Sequence, residues 1–133
     1  MGPTARPDQT HPTQNIIGPL TANVALPGHA VVHDRRSVAI TSNGLAGLLG
    51  VLYEANMRNV TAVIEVAGQR LMIEAVIYRK FDRRSGRVRY LLYPLQPAQS
   101  LLRDMLAKWR DGASPGVKRP MPVVIYNVTP KLK

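Results

Sequence analysis

The sequence predicts an α+β fold: an antiparallel sheet built on a three-stranded meander, two helices packed on one face, and extended N- and C-terminal arms. Three observations carry this. Apolar and polar residues alternate over 60–66, 69–80 and 87–93, the period of half-buried strands. Leucines recur at helical spacing in two other windows, 45–52 and 101–106. The resulting order, strand, helix, three strands, helix, strand, segregates helices from consecutive strands in the manner of α+β domains. A chain of 133 residues with 45% apolar content is one domain, long enough to bury a core without a staple.

Residues 1–28 read as a flexible or extended arm. The first fifteen hold three prolines and almost no bulky apolar side chains, too little to offset the entropy of ordering them. The core domain is expected over 29–116. It opens with two short strand pieces over 30–41, around a polar turn at 34–37. Ser42 or Asn43 is placed to cap a helix reaching about residue 58, with Leu45, Leu48, Leu49 and Leu52 as its apolar stripe. Gly44, Gly47 and Gly50 recur on another face of that helix. Each costs roughly 1 kcal/mol of helix propensity relative to alanine. Close approach of another backbone would offset that cost. The domain's own sheet is the simpler source, and a homo-oligomer contact is the other.

The period then changes to two. Ala67-Gly68 forms a tight turn, and pairing residue 66 with 69 places Ala62, Ile64, Val66, Leu71, Ile73, Ala75 and Ile77 on one core face. Glu65 falls opposite Arg70 on the other face, a pair that supports the register weakly. A third strand, 87–93, follows the turn at 83–86. Pro94 and Pro97 end the sheet. A second helix over about 97–110 presents Leu101, Leu102, Met105, Leu106 and Trp109 on one face, and Gly112 supplies its stop. Residues 117–133 form a basic C-terminal strand or arm. Its strand covers 121–128, and Pro120 and Pro122 restrict it to a sheet edge or a neighbouring surface.

Charge separates the classes of partner. The net charge is +10. Residues 79–89 alone carry six basic side chains and one acid, a net +5, and residues 117–133 carry four basic side chains and no acid. The rest of the chain is nearly neutral. Like charges this dense repel one another, so folding gains nothing from gathering them on a hairpin. Against a polyanion they release counterions and gain affinity. Arginine outnumbers lysine five to one in the hairpin, which favours forked contacts to phosphate. Arg79, Lys80, Arg83, Arg84, Arg87 and Arg89, with Lys118 and Arg119 in the C-terminal segment, are therefore the candidate nucleic-acid-binding residues. A two-stranded ribbon also has the width to enter a DNA major groove. Phe81, Tyr78, Tyr90 and Tyr93 lie on the same strands, either as stacking platforms or as ordinary sheet packing. Arg35 and Arg36 are placed to extend the same basic surface.

Enzymatic chemistry finds no support. The chain has no cysteine, which removes disulfide scaffolds, zinc ribbons, iron–sulfur clusters and thiol nucleophiles. His29 and His33 would sit about 13 Å apart on one strand, too far for one metal ion. The strand carrying Glu65 lacks the lysine that a metal-dependent nuclease core requires. The run from Asn43 to Gly50 is glycine-rich but lacks the Gly-Lys-Ser/Thr ending of a phosphate loop. No cofactor is expected. No apolar run approaches the roughly 20 residues needed to span a bilayer, and the first residues do not form a secretory signal.

The sequence thus predicts a non-enzymatic, intracellular or virion-associated protein that binds DNA or RNA with low sequence specificity. Intracellular here means cytoplasmic or nucleoid. The alternative is a structural subunit of a virion, filament or nucleoprotein coat, joined to its copies through the terminal arms or through the Gly44, Gly47 and Gly50 face.

Overall fold

The computed structural model describes residues 16–17, 21–22, 25–112 and 120–131. Eight strands and two α-helices follow in the order β1 (Ile16–Ile17), β2 (Thr21–Ala22), β3 (Leu26–His33), β4 (Ser37–Thr41), α1 (Ala46–Glu54), β5 (Asn59–Val66), β6 (Gln69–Asp82), β7 (Arg87–Pro94), α2 (Ala98–Asp111) and β8 (Met121–Pro130). A single 3₁₀ turn, Asn43–Leu45, leads into α1.

The open sheet with both helices on one face does not form. Six strands close into an antiparallel β-barrel in the order β8, β3, β4, β7, β6, β5 and back to β8. Closure depends on β8. It pairs with β3 from Leu26↔Ile125 to Ala30↔Met121 and with β5 from Val60↔Pro130 to Glu65↔Val124. The strand expected at an edge is therefore flanked on both sides. Pro122 is tolerated because it pairs with His29 of β3 before the β5 pairing begins at Val124, where β8 has one neighbour only.

Alternation along the strands explains why the sheet can close on itself. Val60, Ala62, Ile64 and Val66 of β5, Ile73, Ala75 and Ile77 of β6, Val38 and Ile40 of β4, Leu92 of β7 and Val123 and Ile125 of β8 are all buried. Large and small side chains face one another, as in Ala62↔Ile73 and Val60↔Ala75, so a narrow barrel is filled rather than hollow. Gly28 of β3 lies where a Cβ would come within 2.5 Å of the Thr41 carbonyl oxygen and 2.9 Å of Ile125 Cδ1. Closure also removes the exposed strand edges of an open sheet.

With the interior filled by strands, the helices cover the two ends instead of one face. The 3₁₀ turn and α1 follow the end of β4 and bury Leu45, Leu48, Leu49 and Leu52. The helix ends at Glu54, short of the expected reach to about residue 58. Asn56 takes the left-handed conformation (φ 62°) and the Met57 N–H returns to the Leu52 carbonyl at 2.8 Å, a Schellman-type stop. Ser42 does not cap the helix; its hydroxyl donates to the Pro27 carbonyl at 2.8 Å. The glycines meet side chains of the same domain: Gly50 faces the Tyr90 ring and Gly44 faces Leu26, while Gly47 faces open space.

At the other end α2 buries Ala98, Gln99, Leu102 and Leu106. Leu101, expected on that apolar face, is exposed, and Met105 and Trp109 are partly buried. No helix among the described residues is long and apolar enough to cross a membrane.

Candidate nucleic-acid interface

The candidate site is the far half of the β6–β7 hairpin. The two strands pair from Ala75↔Pro94 to Asp82↔Arg87. Their neighbours leave earlier: β5 meets β6 no further along than Asn59↔Val76, and β4 meets β7 at Ile40↔Leu92. Beyond those positions the hairpin continues as a two-stranded ribbon projecting from the barrel.

Its tip is built around the one acidic residue in the segment. The Asp82 carboxylate accepts the Arg84 backbone N–H and the Ser85 hydroxyl, both at 3.0 Å. The Asp82 carbonyl accepts the Gly86 N–H at 2.8 Å, and Gly86 takes the left-handed conformation (φ 71°) that glycine favours. Ser85 Oγ also accepts the Arg87 N–H at 3.2 Å. The Arg84 N–H and then the Ser85 hydroxyl hold the Asp82 carboxyl below the usual aspartate range. Asp82 therefore shapes the turn and forms no ion pair with the surrounding guanidinium groups.

Register and alternation assign the ribbon's side chains to two faces. Lys80, Arg87 and Arg89 share one face with Tyr78, Asp82 and Leu91, continuous with the outside of the barrel. Arg79, Phe81, Val88 and Tyr90 share the other, continuous with the barrel interior. Arg83 and Arg84 occupy the turn. All six cations are exposed. Among the described residues the ion pairs are Arg70–Glu65 at 3.5 Å and Lys131–Glu74 at 2.9 Å, and none of the six enters either. A cleft of about 640 Å³ separates the free edge of β7, at Arg87, Arg89 and Tyr90, from Thr41, Ser42 and Asn43.

The structure does not gather every expected residue. Lys118 and Arg119 lie outside the described residues. Arg35 and Arg36 lie in the β3–β4 turn, and β4 runs antiparallel to β7, so this turn is at the opposite end of the barrel from the ribbon tip. They lie away from the tip cations Arg83 and Arg84, although His33, which precedes this turn, reaches Tyr78 at the base of the ribbon.

The aromatic residues divide. Tyr90 packs beneath the ribbon, with its ring against Gly50 and 5.7 Å from the Tyr53 ring. Phe81 is exposed at the tip. Tyr78 and Tyr93 contact each other diagonally at 5.3 Å between centroids. His33, which no local pattern places here, joins them at 5.4 Å from Tyr78 and 6.0 Å from Tyr93. Tyr78 and Tyr93 meet across the β6–β7 hairpin, as sheet packing of these rings implies, whereas His33 is brought to them through β4 and β7 and has no signal in local sequence. Among the described residues no group of three or more histidine, aspartate or glutamate side chains is arranged to hold a metal ion.

The chain matches no known family, no curated protein and no solved structure.

Proposed function

We propose that the protein is a non-enzymatic nucleic-acid-binding protein that grips phosphates through the projecting β6–β7 ribbon, with low sequence specificity. One observation carries the reading: six cations are presented without an ion-pair partner among the described residues, while the only acid among them is held by the Arg84 N–H and the Ser85 hydroxyl. A ribbon stabilised by internal ion pairs would present little net charge to a ligand. This one retains its charge on a projecting element, where a polyanion can reach both faces. Five of the six are arginines, whose forked donors match phosphate oxygens. Lys118 and Arg119 add affinity in the same reading.

The mechanism is counterion release. If all six cations engage phosphates, the logarithm of the affinity falls with the logarithm of salt concentration at a slope of about −5 on duplex and about −4 on single strands. Titrating labelled oligonucleotides across a salt series measures that slope. A slope near zero would contradict the reading.

A further inference from the structure

We infer that the ribbon's ligand is single-stranded, with a base stacked on Tyr78 and the adjoining phosphates held by Lys80, Arg87 and Arg89. The inference rests on the reading of the ribbon as a phosphate grip and adds the form of nucleic acid it takes.

Tyr78 sits where the ribbon leaves the barrel. It pairs with Leu91, and two steps further along the same face Lys80 pairs with Arg89, followed by Arg87 opposite Asp82. The ring and three of the six cations thus share one continuous face. Tyr78 is also held in place. Its ring lies 5.3 Å from Tyr93 and 5.4 Å from His33, and those two rings lie 6.0 Å from each other. A triangle of rings restricts Tyr78 to a narrow range of orientations, so little further ordering is needed when a ligand arrives. Even so, Tyr78 remains 44% exposed.

This combination distinguishes the two forms of nucleic acid. A duplex hides the faces of its bases in the stack and shows side chains only base edges and phosphates. Against a duplex, Lys80, Arg87 and Arg89 find phosphates, but the ring of Tyr78 finds no partner. A single strand presents both, and stacking on an aromatic side chain accepts any base because every base has a π-face. Sequence tolerance and single-strand preference therefore follow from the same residue. Phe81 is more exposed, at 59%, but faces the other side of the ribbon, away from Lys80, Arg87 and Arg89.

The test titrates the full-length protein with labelled oligothymidylate, with oligouridylate, and with a duplex of the same length at matched salt. The expected result is tighter binding of the single strands than of the duplex. Tyr78→Leu keeps apolar cover over the sheet and removes the flat ring. It should weaken single-strand binding about 5- to 100-fold, leave the salt slope unchanged and narrow the preference over duplex. Tyr78→Trp should retain the preference, and so should Phe81→Leu. Equal or tighter duplex binding by the wild type would overturn the inference, and that comparison needs no variant to fold. Equal losses on single strand and duplex in Tyr78→Leu would also overturn it, as would loss of the preference in Phe81→Leu rather than in Tyr78→Leu. Failure of the wild type to bind either form would instead remove the phosphate-grip reading on which it rests.

Discussion

Gln99 of α2 hydrogen-bonds the backbone of Val38 in β4 through both ends of its side-chain amide: the Val38 N–H donates to Gln99 Oε1, and Gln99 Nε2 donates to the Val38 carbonyl at 3.1 Å. The same Nε2 donates to the Pro94 carbonyl at 2.8 Å. The reason lies in the register. Ile40 pairs with Leu92, which places Val38 across from Pro94 two positions along the β4–β7 ladder. Proline has no N–H to donate, so the ladder cannot continue there. A buried glutamine amide occupies the seam and joins the two strands. The barrel is thus closed in part by a helix side chain.

Gln99→Leu should therefore destabilise the fold despite its similar volume. The Val38 N–H and two carbonyls would remain buried without their partner, and unsatisfied buried groups of this kind cost about 1–3 kcal/mol each before relaxation. A loss of about 2–4 kcal/mol in urea denaturation is expected. An unchanged midpoint would mean that the seam closes without the amide.

The glycines of the barrel and of α1 should separate by environment. Gly47 faces open space inside a helix, so Gly47→Ala should gain about 0.5–1 kcal/mol. At Gly50 the added Cβ would lie 3.2 Å from the Tyr90 ring, which offsets the helix gain. At Gly28 it would meet backbone at 2.5 Å, and Gly28→Ala should lose about 1–3 kcal/mol. Thermal unfolding should rank the variants Gly47→Ala, wild type, Gly28→Ala in falling order of Tm. Any other order would contradict the packing described.

The β5–β6 turn carries a local cost that can be removed. Ala67 and Gly68 both have positive φ, 51° and 77°, the pattern of a two-residue type I′ hairpin turn. Glycine suits its position, but alanine does not. Asparagine tolerates the left-handed region better, so Ala67→Asn should stabilise the protein by about 0.5–1 kcal/mol. A destabilised variant would contradict this account of the turn.

The contrast between that hairpin and Gln99 shows what the sequence could reveal. The β5–β6 register, with Glu65 opposite Arg70, follows from period-two alternation and a two-residue turn, both of which are local. The basic ribbon was legible for a similar reason, since charge density is read directly from neighbouring residues. Barrel closure was not legible. It depends on β8 meeting both β3 and β5, and nothing local marks a strand for two distant partners. Two prolines even argued for an edge, because their positions relative to the start of the β5 pairing are a tertiary property. Gln99 reads as one more polar helix residue, and the Val38 group it meets is backbone, which has no sequence signature. The approach of His33 to Tyr78 and Tyr93 is concealed for the same reason as closure.

Asp82 gives a pH signature. Its carboxyl is held below the ordinary aspartate value of 3.8, first by the Arg84 N–H and then by the Ser85 hydroxyl. A depressed pKa means that its stabilisation of the turn is fully present above 3.8 and is lost as pH falls through the lower folded value. Following the Asp82 carboxyl carbon by NMR should give a midpoint below 3.8, and Ser85→Ala should move that midpoint upward. A wild-type midpoint at or above 3.8 would show that the turn is not organised around this residue.

The most direct test of the phosphate grip compares the wild type with a variant in which Arg83, Arg84 and Arg87 are all alanine. Both are titrated with labelled single-stranded and duplex oligonucleotides across a salt series. The six ribbon cations should contribute about −4 to the wild-type slope on single strand and about −5 on duplex, and removing three of them should make the slopes shallower by about 2 and about 3. Affinity at low salt should fall with the slope. Wild-type affinity that is insensitive to salt, or a variant that keeps the full slope, would contradict a role for the ribbon in binding phosphate.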